Sequence, residues 1–221
     1  MSAILLLLAS LTAIFAADPV PPCYNPIVPD FESMCSETVF TSGDISIKQY
    51  GLPKTETLVV GQVSGNQFYV DALPVGIQYI INYFAGNNDE RRSILNARTV
   101  PITVRPPTPG VRTTWTFAMM ASTALFPNPI LLPTPLLPTQ PLATFGSHLF
   151  AVIKFKTDIR PYDKDFILAC DNLIAALPPQ YTVLNTSQSS WTPTWALYNN
   201  QSTTANFTNE CWLEVASKLE A

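Results

Sequence analysis

Phe126 to Leu142 holds six prolines in 17 residues, and no other stretch limits the fold so strongly. Proline lacks a backbone N–H and fixes φ, so this segment can be neither a helix nor a central strand. It must run extended and irregular. Leu131-Leu132-Pro133-Thr134-Pro135 is nearly repeated by Leu136-Leu137-Pro138-Thr139-Gln140-Pro141. The segment reads as a connector between two half-structures. The alternative is a polyproline ligand or an apolar contact surface.

The half before it alternates. In Asp44 to Tyr50, Ile45, Ile47 and Gln49 share one face, and Ser46, Lys48 and Tyr50 share the other. Thr55 to Val63 is β-branched and predicts a second strand, with Gly51-Leu52-Pro53 as the turn. From Asp71 to Phe84 the period changes to 3.6: Leu73, Ile77, Ile80, Ile81 and Phe84 make a helical stripe. Asp71 suits the N-cap, which puts Pro74 in the tolerated first turn. Gly86 or Asn87 stops the helix in a left-handed conformation. Strands are expected at Thr99 to Val104 and Thr113 to Ala121, joined by a Pro/Gly turn.

The half after the connector follows the same plan. Ser147 to Phe155 predicts a strand. Pro161 to Leu177 predicts a helix with stripe Phe166, Cys170, Leu173 and Leu177, ended by Pro178-Pro179. Two weaker strands fall near residues 192–199 and 208–215. The order strand-strand-helix-strand-strand, followed after the connector by much the same again, predicts a duplicated ββαββ unit in the α+β class, its helices packed on one curved antiparallel sheet.

Four cysteines, Cys23, Cys35, Cys170 and Cys211, sit at spacings unlike those of zinc sites and predict two disulfides. Cys23 and Cys35 would close a small loop. Cys170 lies on the apolar stripe of its helix and Cys211 on the apolar face of its strand, so these two are paired. The first 16 residues carry no charge, and an apolar run of 13 residues from Ala3 to Phe15 suits a signal-peptide core. Cleavage would start the mature chain at Ala17; an uncleaved anchor is the alternative, because a basic n-region is missing. Residues 17–40 form a Pro/Cys N-terminal segment, and 41–221 the folded domain. Sequons at Asn185, Asn200 and Asn206 mark an exposed, glycosylated region of a secreted protein. The chain is 47% hydrophobic and only 13% charged, with net charge −4, which speaks for an ordered domain and against a nucleic-acid partner. No nucleophile elbow or P-loop is present, and a lone histidine after Ser147 is no triad, so no enzymatic activity is expected.

Four stretches resemble the SOUL haem-binding proteins. Asp44-Ile45-Ser46-Ile47-Lys48-Gln49-Tyr50 is similar to that family's Y-E-V-R-x-Y opening strand. Tyr83-Phe84-Ala85-Gly86-Asn87-Asn88 resembles its Y-I-x-G-x-N helix end, and Thr99-Val100-Pro101-Ile102-Thr103 its T-x-P-V-T strand. Asn209-Glu210-Cys211-Trp212-Leu213 resembles its closing N-E-V-W-L. The motifs keep their order from about residue 40 to 215. The resemblance implies a distorted eight-stranded antiparallel barrel with two packed helices, a fold shared with bacterial effector-binding domains. It also implies haem or another tetrapyrrole, or a similar hydrophobic small molecule, held in a groove along the first helix. Pro74, Ile77 and Ile81 stand at the groove positions. Pro74 replaces a basic residue that could meet a propionate; Arg91, Arg92 or Arg98 are the substitutes. Gln49 occupies the place where some members carry a proposed iron ligand, and an amide ligates haem iron poorly. It could instead donate a hydrogen bond inward. His148, the only histidine, is the candidate metal ligand, with Met119 or Met120 as soft alternatives. Ligation is not required for affinity. Burying roughly 400 Å² of apolar surface is worth about 10 kcal/mol gross, and association removes several of these, leaving micromolar binding.

Overall fold

The computed structural model describes residues 36–50, 56–65, 67–94, 102–108, 110, 112–120, 132–137, 142–157, 161–185, 187–189, 191–198 and 207–218. The expected signal peptide, Cys23, Cys35, Arg98, Asn200 and Asn206 lie outside them. In chain order the elements are β1 (Ser36–Ser42), β2 (Ile45–Tyr50), β3 (Glu56–Ser64), α1 (Tyr69–Phe84), β4 (Ile102–Arg105) and β5 (Thr114–Met120). After the connector come β6 (Leu142–Phe145), β7 (His148–Thr157), α2 (Asp163–Ala175), β8 (Tyr181–Val183), β9 (Thr194–Leu197) and β10 (Phe207–Ser217). Among the described residues no helix is long and apolar enough to cross a membrane.

The sheet runs β1-β2-β7-β10-β9-β4-β5-β3-β6, with β8 attached to β10, and every strand pair is antiparallel. Remove β1 and β8 and eight strands remain. Exchange β2 with β6, β3 with β7, β4 with β9 and β5 with β10, and that order becomes its own reverse. The duplication is therefore real, and each unit lends its first strand to the other half. β1, β6 and β8 were not legible in the sequence; β1 begins inside the segment expected to precede the domain. All three are short or exposed, and their pairing partners, rather than their own patterns, make them strands.

The chain passes from β6, at one end of the sheet, to β7, third from the other end, through Gly146 and Ser147 alone. Two residues cannot span a flat sheet of this width, so the sheet curls like a barrel. Side chains close the seam. Phe145 of β6 lies 6.3 Å from the Tyr50 ring of β2 and stacks on Phe150 of β7 at 6.1 Å. The inner face is a cluster of Tyr50, Leu58, Val60, Phe145, Phe150, Val152, Trp212 and neighbours. The outer face, with Ile45, Ile47, Val59, Phe117, Trp195 and Cys211, is covered by the two helices.

α1 starts two residues before the expected Asp71. Phe68 takes the N-cap position without a side-chain cap, and its carbonyl accepts from the N–H groups of Asp71 and Ala72. The reason is tertiary: Tyr69 is wholly buried against Trp115, Phe166 and Trp195, which winds the chain early. Pro74 consequently sits inside the helix, beyond its first turn, and removes one backbone bond there. The stop follows the sequence: Gly86 has φ +108°. Cys170 and Cys211 form the expected disulfide, tying α2 to β10.

Candidate functional site

α1 lies over β3 and β5, and α2 over β7 and β10. Between those positions lie four strand spacings, or about 19 Å, whereas packed helices sit 8–10 Å apart. The strip over β4 and β9 thus needs filling. At the N-terminal ends of the helices it is filled by aromatic rings. Phe166 stacks on Trp195 at 4.6 Å, and Tyr69 meets Trp195 edge-on at 5.6 Å and Trp115 at 5.8 Å. The Tyr69 N–H and the Asp163 carboxylate also bond across the two helices; burial raises the Asp163 pKa and the backbone bonds oppose it. Val104, Trp195 and Leu197 on the floor are buried, and Ile94 and Leu132 join the same core. The inner side of α1 is closed as well. A Cβ on Gly76 would stand 2.0 Å from the Phe117 ring, and one on Gly61 would stand 2.6 Å from the Gly76 carbonyl oxygen.

What remains open is the flank of α1. Val70, Pro74, Ile77, Ile81 and Phe84 follow one another at spacings of four and three, which places them in one stripe. Val70, Ile77 and Phe84 are half-buried against the core, while Pro74 is exposed and Ile81 is 52% exposed. The three residues expected in a groove therefore share one strip, with Ile77 half-buried and Pro74 and Ile81 exposed. At the C-terminal end of α1 the Pro-rich segment is fastened down. Tyr83 Oη donates to the Pro133 carbonyl at 2.8 Å, and the backbone N–H of Asp89 donates to Thr134 O at 2.9 Å. Burial first, and then Asp89, push the Tyr83 phenol up to about 12. Leu136 and Leu137 of that segment are exposed. Between helix and segment, Asn88 is fully buried, donating to the Tyr83 and Arg92 carbonyls and accepting the Arg92 N–H. The amide cluster after α1 is thus a structural stop, and Asn88 is its keystone. Arg91 and Arg92 follow it, exposed, with Arg92 paired to Glu90 at 3.2 Å.

Neither proposed polar residue joins this stripe. Gln49 shares the outer face with Ile45 and Ile47 but donates to Ser147 Oγ at 2.8 Å, in the β6–β7 turn. His148 points to the other face, among Phe145, Phe150 and Trp191. Its Nδ1 lies 2.7 Å from Glu214 Oε1, and Ser189 Oγ donates to Glu214 Oε2. Burial raises the Glu214 pKa, but the bonds and charge from His148 and Ser189 outweigh it and hold the carboxyl below the usual range. His148 and the α1 stripe lie on opposite faces of the sheet, so this imidazole cannot ligate an iron held on that stripe. Met119 is half-buried on the outer face, packed in the core. Among the described residues no group of three or more His, Cys, Asp or Glu side chains is placed to hold a metal ion. Asn185 is exposed, its Oδ1 accepting from the Ser187 and Gln188 N–H groups.

Sequence reasoning missed the polar interior. Glu210 is fully buried on the inner face, its Oε2 accepting from Tyr198 Oη and Trp212 Nε1, both at 2.6 Å. Its place among alternating residues of β10 was a signal that it points inward with Trp212.

No protein-family model matches the chain, and no curated protein matches it in sequence. Solved structures do. The EcmrR C-terminal domain matches with TM-score 0.52 at 10% identity, over 78% of this chain and 97% of that one. A Staphylococcus aureus MU50 protein described as a bacterial transcription regulation protein matches with TM-score 0.47 at 11% identity, over 80% of this chain and 100% of that one. SAV2435, solved bound to tetraphenylphosphonium, matches with TM-score 0.43 at 11% identity, over 80% and 96%. The likeness to the EcmrR domain establishes the α+β, barrel-like fold.

Proposed function

We propose that the chain is a secreted, non-enzymatic binding protein of SOUL type, taking haem, another tetrapyrrole or a similar flat apolar molecule on the flank of α1. The observation that carries this is the outward strip of Pro74, Ile77 and Ile81, apolar where a helix would ordinarily be polar. Binding is by apolar contact without a protein ligand to iron, so haem and metal-free porphyrin bind alike. Secretion is supported by the buried Cys170–Cys211 disulfide, which belongs to oxidising compartments, and by the exposed sequon at Asn185. A second reading is an interaction protein that has lost its ligand. It is favoured by the filled strip between the helices and by exposed Ile167, Leu168 and Ile174 on α2.

Absorbance titration with haem and with protoporphyrin IX, read also by tryptophan quenching, tests the proposal. Micromolar binding of both is expected, unchanged in His148→Ala and weakened about tenfold or more in Ile77→Asp and Ile81→Asp. Absence of saturable binding in the wild type removes the ligand reading and leaves the interaction reading. Loss of binding in His148→Ala alone would move the site to the other face.

A further inference from the structure

α2 is apolar on two sides. Its inner side, with Phe166, Ala169, Cys170 and Leu173, is buried on the sheet. On the opposite side Lys164, Ile167, Leu168, Asp171, Ile174 and Ala175 are all exposed. At 3.6 residues per turn these six occupy about a third of the circumference. Ile167, Leu168 and Ile174 are 53%, 61% and 53% exposed, where a helix lying on a core ordinarily turns polar residues outward. The side is held rigidly. The Cys170–Cys211 disulfide fastens the middle of α2 to β10, and Phe166 stacks on Trp195 near its start.

The order of residues along this side is self-complementary. A cation, Lys164, opens it; Ile167 and Leu168 stand in the middle; an anion, Asp171, follows. Lys164 and Asp171 are two turns apart, too far to face each other on one helix. Among the described residues neither has an ion-pair partner. Lys164 also lies in the first turn of α2, where the helix dipole disfavours a cation, so helix stability does not account for it. Set a second α2 antiparallel to the first, with a two-fold axis between Ile167 and Leu168. Ile167 of each copy then meets Leu168 of the other, and Lys164 of each meets Asp171 of the other. Ile174 comes opposite the start of the second helix, where Tyr162 is 48% exposed. A closed two-fold contact requires this reciprocity. α1 cannot offer it, because Asp71 is its one charged residue.

We propose that the exposed side of α2 is a homodimer interface, in which two copies pack antiparallel through Ile167 and Leu168 and form reciprocal Lys164–Asp171 ion pairs. The contact lies on the other helix from the α1 strip and does not depend on ligand binding there. α2 spans about 20 Å, so the contact is smaller than the about 800 Å² per partner of a standard interface. The rigid side spares part of the ordering cost. The dimer is weak and reversible, with a Kd of about 10–100 μM.

Sedimentation velocity of the full chain from about 1 to 500 μM at low ionic strength tests this. A monomer–dimer shift is expected across that range, abolished in Leu168→Asp and kept in Ile81→Asp. Leu168 is exposed, so the circular dichroism of its variant should match wild type. Lys164→Glu and Asp171→Lys should each weaken self-association about tenfold or more, because each sets like charges opposite one another twice. Mixing these two variants should restore the dimer, since the mixed pair brings opposite charges together at both contacts. A chain that stays monomeric throughout overturns the proposal. So does a dimer that survives Leu168→Asp or is lost in Ile81→Asp. A mixture that associates no better than its two components overturns the antiparallel pairing, and the proposal with it.

Discussion

The two halves solve one packing problem in two ways. Gly76 is the eighth residue of α1, and Cys170 the eighth of α2. Beneath Gly76 lies Phe117 of β5; beneath Cys170 lies Cys211 of β10, the counterpart strand. In the first half the helix drops onto the sheet because neither Gly76 nor Gly61 has a side chain, and the Phe117 ring fills the contact. In the second half the helix is joined to the sheet covalently, with Cys211 fully buried and Cys170 7% exposed. A helix-on-sheet contact can thus be secured by steric fit or by a crosslink, and only the crosslink acts mainly through the unfolded chain.

The disulfide closes a sequence separation of 41. Replacing both cysteines by alanine should cost about 4 kcal/mol by loop entropy, read by chemical denaturation against wild type. A loss below about 1 kcal/mol would mean that α2 holds by packing, as α1 does. Gly76→Ala should cost about 1–3 kcal/mol, because the new methyl meets a buried ring that cannot retreat. Thermal unfolding should show it as a Tm lower by about 2–4 °C per kcal/mol. An unchanged Tm would show that α1 is not tightly seated.

The smallest effect probes how the connector is tied to the first half. Tyr83→Phe removes the buried bond to Pro133 and should cost about 1 kcal/mol at pH 7. The sign with pH is definite. Burial pushes the folded phenol up to about 12 from its ordinary 10.0, so its contribution is complete below the unfolded pKa and disappears as pH rises through the folded one. Alkaline unfolding curves of wild type and variant should converge over that window. Parallel curves would mean that Tyr83 does not fasten the proline segment.

Local pattern carried much of the architecture. The change of period from two to 3.6 gave both helices and most of the eight core strands, and the repetition of that order gave the duplicated unit. The Cys170–Cys211 pairing followed from face alone: a helix stripe and a strand's apolar side are fixed by backbone geometry and must meet in a core. The set Pro74, Ile77 and Ile81 came from the family resemblance, and helical spacing then places its members in one strip. His148 and Gln49 show where such reasoning stops. Parity gave Gln49 its face, but which strands are neighbours, and where the sheet curls, decides what stands opposite either residue. His148 of β7 met Glu214 on the neighbouring β10, and Gln49 of β2 met Ser147 in the β6–β7 turn.

The residues by themselves determined what is local and periodic: two helices, their apolar sides, the proline break, the turn at Gly86. The tertiary structure alone decided what depends on contacts far apart in the chain. It made strands of β1, β6 and β8, drew α1 back to Tyr69, and filled the gap between the helices with aromatic rings. It also brought Arg105 and Trp191 together across 86 residues of chain. The physical reason is that backbone geometry fixes which way a side chain faces, whereas burial and charge pairing depend on what the rest of the fold brings to meet it.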